Sequence, residues 1–200
     1  RANLILNNMK TVCIYCASSE LIRKSFFLAT DELAKNLVGA GYQIAYGGGS
    51  RGLMGQLAES TLQSGGKIVG VIPRFMCEEE WNHNGLSELI LVDTMHERKA
   101  MLAQMADAVV ALPGGCGTME ELMEIITWKK LGIFTKPIVI LNIEGYFDEL
   151  LLMLKKAVSE NFMRPEHQSM WQVVDRSDKV VEAITTALQW NSADRRWAVM

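Results

Sequence analysis

Val109-Val-Ala-Leu-Pro-Gly-Gly-Cys-Gly-Thr-Met-Glu-Glu121 passes from a short apolar, β-branched run, through a proline and three glycines, into a stretch of helical period. Such a run bounded by breakers reads as a buried strand, and the helix after it opens with Thr118 in its first turn. Outward from this segment the same alternation recurs in both directions. Strands are expected at 11–16, 43–46, 67–72, 89–93, 108–112 and 137–141, with a weak one near 172–174. Helices are expected at 23–38, 52–64, 95–106, 117–131, 146–160 and 179–190, each bounded by Gly, Asp, Asn, Ser or Pro. Short strands alternating with longer helical segments are the signature of stacked βα units and a largely parallel sheet. The predicted class is α/β: a mostly parallel sheet flanked by helices on both faces, in one domain over 9–190. Residues 1–8 read as a vector remnant or short native extension, and 191–200 as a C-terminal tail.

Composition narrows the function classes. Two hundred residues with 49% apolar content are enough to bury a core, which excludes a disordered chain. Charged residues make up 22% and the net charge is −3, so there is no basic field to draw the chain to nucleic acid or to an anionic membrane. The apolar runs fall short of the roughly 20 residues of a membrane helix, and no signal-peptide pattern opens the chain, so a cytoplasmic location is expected. Cys13, Cys16, Cys77 and Cys116 form no secreted framework and read as free thiols. Cys13 and Cys16 have zinc-like spacing, but on a strand residues i and i+3 face opposite sides. With His83, His96 and His167 scattered, no metal site is expected.

In open parallel sheets ligands sit beyond the carboxyl ends of the strands. The loop Pro113-Gly-Gly-Cys-Gly-Thr118 is suited to an anion, because unpaired N–H groups and the positive helix end converge there. Three glycines exceed what a strand-to-helix turn alone requires. Thr118 and Glu121 share a face of the helix start, which puts the Glu121 carboxylate within reach of whatever the loop holds, whereas Glu120 and Glu124 share another face. In Asp93-Thr-Met-His-Glu-Arg-Lys99, Thr94 and Glu97 have capping-box spacing. Arg98 falls with Met95, Leu102 and Met105 on the stripe that faces the core, where it either snorkels or meets an anion. Lys99, one position round, reads equally as a surface lysine.

Gly47-Gly-Gly-Ser-Arg-Gly52, with Gly48 and Gly49 at its centre, formally fits G-x-G-x-x-G after a strand. The next strand ends Ile72-Pro-Arg74 without the acid that would hold a ribose hydroxyl, and no Walker lysine follows, which favours a mononucleotide over NAD or ATP. Ser18 and Ser19 cap the first helix or meet a nucleotide edge. The acids Glu78, Glu79 and Glu80 read as a solvated run with one functional member as the alternative.

Together, Gly47-Gly-Gly-Ser-Arg-Gly-Leu-Met-Gly55, Met95-His-Glu-Arg-Lys99 and Pro113-Gly-Gly-Cys-Gly-Thr-Met-Glu-Glu121 resemble the LOG (Lonely Guy) family, often labelled "possible lysine decarboxylase". The resemblance spans about residues 9–174. It implies a Rossmann-like fold and a cytokinin riboside 5′-monophosphate phosphoribohydrolase, which cleaves the base from a nucleoside monophosphate, often AMP as well. It implies no metal or organic cofactor, and a homodimer with the site near the interface. By the same resemblance Arg98 and Glu121 are the catalytic pair. Lys99, Gly114, Gly115, Cys116, Gly117, Thr118, Met119, Glu120, Glu80 and Thr127 bind substrate, with Ser18, Ser19, Gly48 and Gly49 joining them from the other loops. Ala17 departs from the family's usual Gly. Two other readings stay open: a purine mononucleotide sensor without turnover, and a general nucleotide nucleosidase with no interest in cytokinins.

Overall fold

The computed structural model describes residues 9–79, 81–190 and 193. The expected extension at 1–8, nearly all of the tail at 191–200, and Glu80 lie outside the described residues. The chain runs β1 (Thr11–Tyr15), α1 (Lys24–Gly39), β2 (Gln43–Tyr46), α2 (Gly52–Gln63), β3 (Ile68–Pro73), α3 (Arg74–Glu78), β4 (Glu88–Val92), α4 (Met95–Met105), β5 (Ala108–Ala111), α5 (Cys116–Lys130), β6 (Ile138–Leu141), α6 (Asp148–Ser159), β7 (Gln172–Val174) and α7 (Val180–Thr186). All seven strands join one parallel sheet in the order β4-β3-β2-β1-β5-β6-β7.

Strands β1, β3, β5 and β6 are buried along their whole length because both faces of the sheet are covered there, whereas the edge strands β4 and β7 are partly exposed. Alternate residues of β1 go to opposite faces. Val12 and Ile14 pack with Leu33 and Leu37 of α1, Leu53 and Leu57 of α2, and Val180 of α7. Cys13 and Tyr15 pack with Leu102 of α4 and with Leu122, Ile125 and Ile126 of α5. Cys13 and Cys16 accordingly belong to different core clusters, and the four cysteines are free thiols. Helix α1 buries Phe26, Thr30, Leu33, Ala34 and Leu37, a stripe at helical spacing. Truncating a fully buried leucine such as Leu33 to alanine costs about 2–5 kcal/mol.

Three expectations need correction. The stretch 73–87, read as loop, contains α3, a five-residue turn of helix that buries no residue and so leaves no apolar period in the sequence. The last helix ends at Thr186 rather than 190, and beyond it the Trp190 indole N–H donates to the Lys129 carbonyl at 2.8 Å. Short 3-10 turns at Ile143–Gly145, Pro165–Met170 and Ser177–Lys179 have no periodic signal either. No described helix is long and apolar enough to cross a membrane.

Strand order reverses between β1 and β5: β2 to β4 extend the sheet one way, β6 and β7 the other. The loops leaving β1 and β5 therefore diverge, and a crevice opens at the carboxyl ends of these two strands.

Candidate active site

Helix α5 begins in that crevice. Gly115 is its N-cap, no side chain caps it, and its first turn carries no acid. The N–H groups of Cys116, Gly117 and Thr118 lie in the turn for which a helix has no internal acceptor, so the positive end faces the crevice open. A Cβ at Gly114 would sit 2.1 Å from the Thr118 Oγ1, so only glycine lets the loop fold onto the buried Thr118. At Gly115 and Gly117 a Cβ would meet no described atom within 4 Å, so these glycines border empty space.

Arg98 reaches the same crevice from α4. It is 7% exposed, its Nε donates to the Val71 carbonyl at 3.1 Å and its Nη2 to the Gly47 carbonyl at 2.9 Å. A Cβ at Gly47 would lie 1.7 Å from Nη2, which makes glycine there a condition of the arginine's position. Nη1 contacts only the Met95 sulfur, at 3.8 Å, among the described residues. Among the described residues this buried guanidinium is hydrogen-bonded to neutral groups and forms no ion pair, a standing attraction for an anion. Of the two readings that the sequence left open, snorkelling is excluded by this burial.

Glu121 lines the crevice one turn into α5. Burial pushes its carboxyl up to about 7, against the pull of Arg98. A carboxyl raised toward neutrality beside an uncapped helix terminus is suited to acid–base or electrostatic chemistry. Glu120 and Glu124 take the other face, as their spacing predicts: Lys99 Nζ donates to them at 2.5 and 3.1 Å. The bond to Glu120, then that to Glu124, holds the Lys99 ammonium above its usual range.

Two cavities meet at this point. The first, about 300 Å³, is lined by Cys16 to Ser19, Gly115 to Thr118, Glu120 and Glu121. The second, about 440 Å³, is mainly apolar, with Ile72, Met76 and Trp81 in its wall. Ser18, Met54 and Arg98 border both. A clip joins two segments beside the second cavity: Gly49 and Asn82 form an antiparallel bridge, the Ser50 N–H donates to the Trp81 carbonyl and the His83 N–H to the Gly48 carbonyl.

A family described as "Possible lysine decarboxylase" matches residues 54–184. A protein of Arabidopsis thaliana named cytokinin riboside 5′-monophosphate phosphoribohydrolase LOG5 is 37% identical over 199 residues, 98% of this chain and 87% of its own length. A rice (Oryza sativa subsp. japonica) protein named "Probable cytokinin riboside 5′-monophosphate phosphoribohydrolase LOGL9" is 44% identical over 165 residues, 82% of this chain and 73% of its own. The chain belongs to the LOG family. Among solved structures, the molybdenum cofactor carrier protein of Chlamydomonas reinhardtii superposes with a TM-score of 0.68 at 17% identity, covering 89% of this chain and 97% of that one. That likeness establishes the shared fold alone.

In this LOG chain the crevice brings together Ser18, Ser19, Arg98, Gly115, Cys116, Gly117, Thr118, Glu120 and Glu121, drawn from two loops and two helices. The serines do not cap α1, whose N-cap is Arg23. Gly49 borders the second cavity. Gly114 supports the loop through Thr118. Gly48, Lys99, Met119 and Thr127 border neither cavity. Gly48 packs toward Ile72 and Leu89, Met119 against the core, and the Thr127 hydroxyl donates to the Met123 carbonyl. Sequence reasoning left Met54, Met76 and Trp81 unassigned and passed over Tyr146, whose hydroxyl donates to the Gly114 carbonyl at 2.6 Å. Only the three-dimensional path of the chain separates these from core methionines and aromatics.

The decarboxylase label implies pyridoxal phosphate, whose aldehyde needs a lysine amine. Among the described residues no lysine borders either LOG cavity. Lys99 is engaged by two glutamates, and Lys129, its amine pushed down to about 8 by burial, donates to the Lys136 carbonyl beside a separate cavity. The residues present do not fit that group. Among the described residues no three His, Cys, Asp or Glu side chains cluster to hold a metal ion.

Proposed function

We propose that this LOG protein hydrolyses the N-glycosidic bond of a nucleoside 5′-monophosphate, a cytokinin riboside 5′-monophosphate or AMP, to free base and ribose 5-phosphate. The observation that carries the reading is the convergence of the uncapped α5 terminus, buried Arg98 and Glu121 on one cavity that continues into an apolar one. The 5′-phosphate caps α5 through the N–H groups of the glycine loop. The base occupies the apolar cavity, which leaves room beside Met76 and Trp81 for an apolar substituent. This places C1′ between the cavities, next to Arg98 and Glu121.

Cleavage of the C1′–N bond passes through an oxocarbenium-like sugar, water supplies the new C1′–O bond, and the base leaves with the bonding electron pair and gains a proton. Glu121 as carboxylate stabilises the cationic sugar and orients the attacking water. Arg98, bordering both cavities, offsets the negative charge that develops on the departing base. Lys99 acts at one remove: its ammonium ties down Glu120, which borders the crevice beside Glu121, and Glu124 behind it. The reading includes a homodimer with the site near the interface, implied by the family, and a cytoplasmic location, expected from the sequence. Light scattering on the eluted protein tests the dimer.

The deciding experiment incubates purified protein, without added metal, with AMP and with N6-isopentenyl-AMP, and follows free base by chromatography. Release of base with ribose 5-phosphate is expected, and faster release from the prenylated substrate assigns the apolar cavity to the N6 substituent. Tight binding without release overturns the hydrolase in favour of a nucleotide sensor.

A further inference from the structure

The loop after β6 is built with more constraint than a connection between strand and helix requires. Asn142 Oδ1 accepts from the Phe147 N–H at 2.7 Å, and its Nδ2 donates to Asp148 Oδ1 at 2.8 Å. Between them Glu144 and Gly145 both take left-handed backbone, φ 52° and 72°, and for the glutamate that conformation costs of order 1 kcal/mol. Arg23 holds Glu144 through an ion pair at 2.5 Å while its guanidinium stands 4.9 Å from the centre of the Phe26 ring. Phe26 in turn meets the Tyr146 ring edge-on at 5.9 Å, and Phe147 also meets it edge-on, at 5.1 Å. Phe26 and Phe147 are buried, so the Tyr146 ring is steadied by two fixed rings.

All of this converges on one contact: the Tyr146 hydroxyl donating to the Gly114 carbonyl across the gap between two βα loops. The C=O and N–H of one trans peptide point in opposite directions. Holding the Gly114 oxygen therefore turns the Gly115 N–H to the side away from Tyr146, and Gly115 lines the cavity at the α5 terminus. Two adjacent glycines have no side chain of their own to settle that peptide.

We propose that Tyr146 is a positioning residue for anion binding: it fixes the Gly114–Gly115 peptide so that the loop meets the 5′-phosphate already ordered. The inference rests on the reading of Gly114 to Thr118 as a phosphate loop. Its energetic basis is preorganisation, because a ligand that meets an ordered loop does not bear the cost of ordering it.

The test compares wild type with Tyr146→Phe, which keeps the ring against Phe26 and Phe147 and removes only the hydroxyl. Ribose 5-phosphate and adenine are titrated separately by calorimetry, and AMP kinetics are measured in parallel. The expected result is a Kd for ribose 5-phosphate about tenfold weaker, adenine affinity within about twofold, and KM for AMP raised with kcat nearly unchanged. Unchanged ribose 5-phosphate affinity, or an equal loss for adenine and for ribose 5-phosphate, overturns the proposal, the latter because it reports general loosening. A second variant, Phe26→Leu, loosens the grip on the ring with the hydroxyl intact and is expected to show the same selectivity with a smaller effect. Wild type that binds no ribose 5-phosphate overturns both this proposal and the phosphate-loop reading. Wild type that binds it but releases no base from AMP leaves Tyr146 testable and overturns only the hydrolase.

Discussion

Helices α4 and α5 both start at the carboxyl end of a strand, yet their first turns are finished in opposite ways. At α4 the Thr94 hydroxyl accepts from the Glu97 N–H at 3.1 Å, and Glu97 returns a bond to the Asp93 N–H at 2.8 Å. The helix closes itself with its own side chains. At α5 the cap is a glycine, the first turn has no acid, and no side chain reaches back. The two ends carry the same dipole and the same orphan donors. The difference is therefore one of assignment. The closed terminus serves the fold and carries Arg98 to its place, whereas the open one has no side-chain cap and is where the proposed phosphate would bind.

The largest effect expected from breaking this contrast is at Glu121, the acid beside the open end. Glu121→Gln should lower kcat by about 10²-fold or more, read as base release from AMP. The same variant should be more stable than wild type at pH 8. The native carboxyl is raised to about 7 from an ordinary value near 4.5, so between these pH values the native state holds a proton that the unfolded chain has lost. Wild-type stability thus falls as pH rises from 4.5 to 7 and stays lowered above it. The gain for Glu121→Gln at pH 8 is on the order of 2–3 kcal/mol, measured by denaturant titration. In kinetics, kcat/KM for AMP should rise with pH through about 7 as the carboxylate forms, and a profile flat across that range removes the carboxylate role.

Filling the open end comes next. Ribose 5-phosphate at 100 times its Kd should stabilise wild type by about 2.7 kcal/mol, seen as a raised Tm, and should do so less in Tyr146→Phe. Gly117→Ala probes the space itself. Its methyl group meets no described atom, and alanine suits a helix better by about 0.5 kcal/mol, so Tm should not fall, while KM for AMP should rise about tenfold or more as the methyl enters the phosphate's place. A Gly117→Ala protein with unaltered KM moves the phosphate elsewhere. The smallest effect is at the closed end. Thr94→Ala should cost about 1 kcal/mol of stability and change kcat/KM by no more than about twofold, because Arg98 keeps its Val71 and Gly47 carbonyl partners.

Much of this was legible in the linear chain. The alternation of β-branched runs with helical period specifies a parallel α/β sheet, because each run must be buried on both faces. Capping-box spacing at Thr94 and Glu97, the position of Arg98 on an otherwise apolar stripe and the shared face of Thr118 and Glu121 are local facts, fixed by 3.6 residues per turn. Less was legible where a contact joins distant segments. Lys99 meets Glu120 across 21 positions of sequence, Tyr146 meets Gly114 across 32, and Gly47 admits Arg98 across 51. No spacing rule connects such pairs. The short α3 was missed for a related reason: it buries no side chain of its own, so it has no period to detect.

The sequence alone determined the seven strands and the six longer helices to within a few residues at their ends, where the glycine loop would open a helix, and that Glu121 would stand beside it, since each follows from backbone geometry within one or two turns. Tertiary structure decided that the loop after β6 would brace the glycine loop and that Arg98 would lie where two cavities meet. It also decided that Met54, Met76 and Trp81 would make one wall while other methionines fill the core. Those outcomes depend on strand order, on the reversal between β1 and β5, and on which side chains the packed sheet leaves facing empty space.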